Sequence, residues 1–288
     1  MSKLSQPLKE LISAAHAKPG PVPAPKNIRS IFDSISKDAA SKKVGLPAWL
    51  TLSTATTMTM NSPESLLQLH DLVSSSGDKA RSIYAAELMR EVGLKCISFN
   101  GIPRTINMLG AFHSGLPSSI SSSLSTTPTR NITPSNLTTS QARGRSLWNS
   151  VYIPFQDKLL SKLGESHPDL PVHILESHYA GLLSDPVPVT QRPSGAKVGR
   201  ILTSLTALAC LRSQTGVGPQ VTSHVFGLRK AFGDGSFEAE GEEQVEGAKW
   251  LATDEGSIWA LQLVDSIVSG IGEGRGTSFA PGIEKAKL

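Results

Sequence analysis

Three stretches of the chain carry side chains whose type and spacing could do chemistry. In NGIPRTINMLGAFHSGLP, residues 100–117, Arg104 and Asn107 lie three apart and project from one face near the entry of a helix. That helix opens at Pro103 and breaks at Gly115–Pro117, the usual placing of Pro and Gly at helix ends. In GPQVTSHVFG, residues 218–227, Gln220 and His224 lie one turn apart. Histidine is the natural general acid or base near neutral pH, and arginine the natural carboxylate clamp, so Arg104 or Arg212 could hold a substrate beside His224. The third stretch is HILESHY. His173 and Glu176 can share a helical face, but His178 is five residues from His173, about 140° round an α-helix, so the trio does not converge and no metal site is expected.

The same residues have structural readings. Arg104 and Asn107 suit a hydrogen-bond network at a buried helix start that docks two halves of the chain, and this is the favoured role for them. Arg212 suits an interhelix salt bridge. His224 suits a buried histidine bonded to a helix end or to Gln220.

The elements that must position these groups are helices. The chain has 288 residues, enough for one large domain or two small ones. Hydrophobic residues make up 39% and charged residues 18%, a globular balance. A net charge of +4 is mild, its Lys and Arg are scattered, and aromatics are only 5%, so neither a nucleic-acid footprint nor a base-stacking platform is indicated. No apolar run approaches a membrane span. The N-terminus lacks an apolar signal core, so the sequons Asn131-Ile-Thr133 and Asn136-Leu-Thr138 read as chance matches. Two cysteines, Cys96 and Cys210, give no disulfide framework and no zinc site. No cofactor is called for.

Residues 1–46 form a partly flexible extension: a short amphipathic stretch, the Pro-rich AKPGPVPAPKN, then a marginal helix in SIFDSISKDAASKK. Residues 47–117 form a first helical half. Ser62-Pro63 opens one of its helices, and Asp78 caps the next, on which Ile83, Tyr84, Leu88 and Val92 face inward with charges opposite. Residues 118–143, rich in Ser, Thr, Pro and Asn, read as a surface loop or mobile linker. Residues 144–270 form a second helical half, in which Pro171 starts a helix, GRILTSLTALACLRSQ makes a buried one and Ile258–Val268 a last one. Residues 271–288 are a Gly-rich tail. Strand patterns are almost absent, so the class is all-α.

GIPRTINMLG and GPQVTSHVFG share a plan, each with a polar side chain one turn before a glycine that would let another backbone approach. With AAELMREVGLKCISFNGIPRTINML and GRILTSLTALACLRSQTGVGPQVTSHVFGL, they resemble the carboxymuconolactone decarboxylase and alkylhydroperoxidase-D-like superfamily, over residues 47–115 and 146–270. The resemblance implies an all-α bundle of two related helical halves, a homo-oligomer, and a pocket near the His-bearing helix. The peroxidase branch carries Cys-x-x-Cys with a histidine four residues on. With His224 in that place the cysteine positions fall on Val217 and Gln220, so a hydroperoxide-reducing dithiol relay is disfavoured. The decarboxylase branch does not use the cysteines. The resemblance therefore implies acid/base work by His224, with Gln220, on a small lactone, carboxylate or acyl metabolite. The helix begins after Pro219, so its N-terminal dipole favours an anionic group and a neutral imidazole there. A non-catalytic binding or scaffold module of the same fold is the alternative.

The last three residues, Ala286-Lys287-Leu288, are a conservative variant of the Ser-Lys-Leu peroxisomal address, and the Gly-rich approach would present it to the import receptor. The expected location is the peroxisomal matrix. A mitochondrial presequence is the alternative, against which Glu10 and the absence of Arg before position 29 count. Deleting Leu288, or changing Lys287 to Glu, is expected to release a tagged chain to the cytosol. Continued sorting of the truncated chain to peroxisomes would overturn the address.

Overall fold

A computed structural model describes residues 4–17, 20–185, 194–238 and 243–274. The targeting residues Ala286, Lys287 and Leu288 lie outside the described residues. The architecture is all-α, with no strand among the described residues. In chain order the elements are α1 (Gln6–Ile12), α2 (Ile28–Ser41), α3 (Leu46–Thr59), α4 (Pro63–Ser74), α5 (Lys79–Lys95), α6 (Ile97–Asn100), α7 (Ile102–Gly115) and α8 (Ser118–Ser121). There follow α9 (Leu137–Tyr152), α10 (Gln156–Ser166), α11 (Asp169–His173), a π-helical segment (Ile174–Leu183), α12 (Arg200–Gln214), α13 (Gly218–Gly233), α14 (Ala248–Leu251) and α15 (Asp254–Gly272).

α3 and α12 pack on each other at the centre. Residues 48–59 of α3 are all buried, as are residues 200–211 of α12. Helices apolar or small all round belong in a core. Their hydroxyls would be costly there, and many are satisfied within the helix. Thr56, Thr57 and Thr59 donate to the carbonyls of Leu52, Ser53 and Ala55 at 2.7–2.8 Å. Thr206 and Ser213 do the same to Leu202 and Ala209.

The other helices wrap this pair, and the N-terminal region joins them. Ile28, Phe32, Ile35 and Ala39 of α2 are buried at helical spacing, so the stretch read as marginal from its polar residues is part of the core. Residues 20–25 before it are non-helical and bond to the bundle, Val22 N donating to Asn61 O at 2.8 Å. The capping expectations fare unevenly. Asp78 accepts from the amides of Ala80 and Arg81, capping α5. Ser62 occupies the N-cap of α4 without capping it, because its hydroxyl pairs with Ser65 instead.

The charged face of α5 is buried too. Glu87, Glu91 and Lys95 recur every four residues, and all are below 5% exposed. Glu87 accepts from the Ser125 amide and Arg90, and Glu91 pairs with Arg130. Lys95 donates to Leu183 O (2.7 Å), Thr203 Oγ1 (3.0 Å), Asp185 (3.3 Å) and Val198 O. Part of the Ser/Thr-rich stretch read as a loose linker is therefore held down by ion pairs, and its irregular portion, 122–136, is shorter than expected.

A second, smaller core forms around Trp148, Leu175, Tyr179 and Leu183, between α9 and the π-helical segment. Pro171 sits inside α11, not at a helix start. The two similarly patterned glycines behave differently. A Cβ on Gly227 would meet Val151 Cγ1 at 2.8 Å, whereas one on Gly110 would meet nothing within 4 Å. At Gly144 it would strike the backbone of Ala180 at 2.5 Å. Gly144→Ala is therefore expected to cost ~1–3 kcal/mol by overpacking. Gly110→Ala, on an open helical surface, should add ~0.5–1 kcal/mol through helix propensity. Denaturant unfolding of both variants checks the pair, and equal effects would contradict this packing.

Candidate functional site: a buried histidine at the seam of two cores

His224 lies on the inner face of α13, buried where the two cores meet. Phe99 of α6, which packs on both cores, meets its ring edge-on at a centroid distance of 6.4 Å. Tyr152 at the end of α9 lies on another side at 6.1 Å. The Tyr179 hydroxyl donates to the Tyr152 hydroxyl at 3.2 Å, and the Tyr152 hydroxyl lies 3.5 Å from His224 Nε2. The Tyr152 hydroxyl, which accepts from Tyr179, can donate its own proton to Nε2 in the tautomer protonated at Nδ1. Nδ1 has no hydrogen-bond partner among the described residues. The same holds for the buried indole Nε1 of Trp148, whose ring lies 4.2 Å from that of Tyr152.

Arg200 organises this cluster. It is 3% exposed and donates to Ser204 Oγ, to Ser150 O at 3.1 Å and to Gly227 O at 2.7 Å, tying α12 to α9 and α13. Burial, reinforced by the Arg200 charge, lowers the His224 pKa to about 4, so the imidazole is neutral at pH 7. Burial raises the Tyr152 and Tyr179 phenols, and Arg200 pulls each back in part.

The other residues singled out in the sequence do not join His224. Gln220, one turn earlier on α13, is exposed. Arg212 is exposed and makes a two-pronged salt bridge to Asp265 of α15, at 2.8 and 2.7 Å. That is the structural role weighed for it, and it occupies the guanidinium proposed as a clamp. Arg104 is half-buried and donates to Thr59 O at the C-terminal end of α3. Asn107 is exposed, while Asn100 does the buried work at this corner: its Oδ1 accepts from Thr59 at 3.2 Å and Gln214 at 3.4 Å. The site therefore loses Gln220, Arg104, Asn107 and Arg212 and gains Tyr152, Tyr179 and Arg200.

A signal for these was present. Arg200 is a cation in the first turn of an otherwise apolar helix, where the helix dipole disfavours it. Only three tyrosines exist in the chain, and two of them meet here.

HILESHY departs from its α-helical reading. Most of it is π-helical, whose wider turn brings residues five apart together. The His173 and His178 rings accordingly meet edge-on at 5.1 Å. Their Nδ1 atoms hydrogen-bond Ser177 and Ser98, both at 2.9 Å. No cluster of three or more metal-ligating side chains occurs among the described residues. Nor is any described helix long and apolar enough to cross a membrane.

A cavity of about 320 Å³ opens between α5 and residues 125–131, lined by Glu87, Arg90, Glu91 and Arg130. Two others lie beside α2. None of these three is lined by His224. No protein-family model matches the chain, and no significant similarity to a curated protein or a solved structure was found.

The burial of His224 carries a pH consequence. The unfolded imidazole binds its proton near pH 6.5, the folded one near 4. Between these values the unfolded state holds more protons, so stability falls as pH drops through that window and is fully retained above it. The shift corresponds to ~3 kcal/mol. Burial lowers the His70 and His178 pKa values too, so the contribution of His224 is isolated by difference. Between about pH 7.5 and pH 4.5 His224→Gln should lose less stability than the parent chain in denaturant unfolding. Equal losses in both proteins would show that His224 titrates as if exposed.

Proposed function

We propose that the chain is a divergent carboxymuconolactone decarboxylase-like protein that uses His224 for acid/base chemistry on a small lactone, carboxylate or acyl metabolite. The observation that carries this reading is a buried imidazole, neutral at pH 7, whose Nε2 faces a tyrosine pair and whose Nδ1, the donor in the tautomer that accepts from Tyr152, has no partner among the described residues. An acceptor oxygen of a ligand would satisfy that donor. As the Nδ1 proton leaves for such an oxygen or for an adjacent carbon, Nε2 takes the Tyr152 proton. Tyr179 then donates to the resulting phenolate, and the Arg200 charge favours the anion. Run in reverse, the same chain makes His224 a base.

A non-catalytic binding or scaffold role for the same fold is the second reading. It is favoured by the absence of His224 from the lining of the three cavities above.

Metabolite profiling of a deletion strain, complemented with variants, separates the two. His224→Gln is expected to lower turnover by about two to four orders of magnitude with the helical spectrum intact. Tyr152→Phe should lower it less, and Gln220→Ala should leave it unchanged. A folded His224→Gln chain that fully restores the strain would sink the catalytic reading in favour of the binding role.

A further inference from the structure

Cys96 and Cys210 are 114 positions apart in sequence, yet their sulfurs lie 3.5 Å apart in the main core. Cys96 caps the end of α5, and Cys210 sits in the middle of α12. The register between the two elements is fixed one turn further along each. There Gln214 Nε2 donates to Phe99 O at 2.6 Å and reaches Asn100 Oδ1 at 3.4 Å. From the other side, Cys210 Sγ contacts Ala55 O of α3 at 3.9 Å. The thiols are thus held side by side on two elements that neighbouring hydrogen bonds already align.

We propose that Cys96 and Cys210 form a reversible intramolecular disulfide, made when a hydroperoxide oxidises the pair, that staples the α5–α6 corner to α12. In the first step one thiolate sulfur attacks a peroxide oxygen. The O–O bond breaks, the alcohol or water leaves with a proton, and a sulfenic acid remains. In the second step the other sulfur attacks the sulfenic sulfur, the S–O bond breaks and water leaves. The two thiols together lose two protons and two electrons, and the hydroperoxide is reduced to alcohol and water.

Both sulfurs are buried, and burial together with the neighbouring sulfur pushes the Cys96 thiol well up. The pair is therefore slow, not a peroxidatic centre. Oxidation requires α6 to part from α12. α6 is one helical turn ending at Gly101, whose φ of 81° breaks the helix, so this parting need not unwind α7. The disulfide is a structural lock that records exposure to oxidant, independent of the acid/base reading of His224.

The test uses the full chain, incubated with hydrogen peroxide and then unfolded in an alkylating reagent. The expected product is monomeric, two hydrogens lighter than the reduced chain and free of alkyl label. Its digest contains a linked Cys96–Cys210 peptide that dithiothreitol separates. Its thermal midpoint should rise by roughly 5 °C or more, because the bond closes a very long loop of the unfolded chain. Cys210→Ala should yield no such product. This readout on the parent chain stands even if that variant fails to fold. The proposal is overturned if both cysteines remain alkylatable, if they go only to sulfinic or sulfonic acid, or if the only disulfide formed joins separate chains.

Discussion

The structure depends on two helices that are buried all round for most of their length. α3 and α12 can both be central because most of their polar side chains are hydroxyls, many bonding back to their own turns, while the buried Arg200 is met by backbone carbonyls. A buried hydroxyl without a partner costs ~1–3 kcal/mol, a cost that Thr56, Thr57 and Thr59 avoid and that Thr51, Ser53 and Thr54, unpartnered among the described residues, leave on the same helix. Its small side chains also let neighbours come close. That proximity brings Cys210 within reach of the α3 backbone, on which α5 also packs.

Charge is then managed at the ends of the central pair. Lys95 and Arg200 are both almost fully buried cations, and both receive backbone carbonyls as partners. Lys95 gathers Leu183, Asp185, Val198 and Thr203 onto α5, while Arg200 gathers α9 and α13 onto the start of α12. A buried ion deprived of one partner costs ~3–5 kcal/mol, so each behaves as a fixed point around which connecting segments must settle. Both also touch the second core's elements, Lys95 at Leu183 O and Arg200 at Ser150 O.

The fold class was legible because the apolar spacing is helical almost throughout and strand alternation is missing. α12 and α15 stood out for the same reason, and Asp78 because an aspartate before a helical run has one dominant use. α2 was underrated because its buried stripe is only Ile28, Phe32, Ile35 and Ala39 among many polar residues, and burial depends on partners distant in sequence. The charged face of α5 looked solvated because nothing local shows that residues 125–130 return to cover it. In the site, His224 was found because histidine invites the question. Its true neighbours come from α9, α12 and the π-helical segment, so spacing along α13 pointed instead to Gln220, which faces out. The angular argument against His173 and His178 meeting failed because it assumed 3.6 residues per turn where the chain adopts a wider helix.

That wider helix ties the second core to the surroundings of His224. In a π-helical run the side chains at 173 and 178 share one side, and Tyr179 is turned toward α9, where its hydroxyl reaches Tyr152. Gly144 lets α9 lie against Ala180 closely enough for that contact, and the Arg200 bond to Ser150 O holds the end of α9 beside α12. The His224–Tyr152–Tyr179 line therefore spans three elements, none adjacent in sequence, each held by a different device: a glycine contact, a buried arginine and an altered helical period. Loosening any one of them would lengthen a Tyr152–His224 separation that already stands at 3.5 Å. Under the proposed acid/base reading, proton transfer along this line would depend on packing far from the histidine itself.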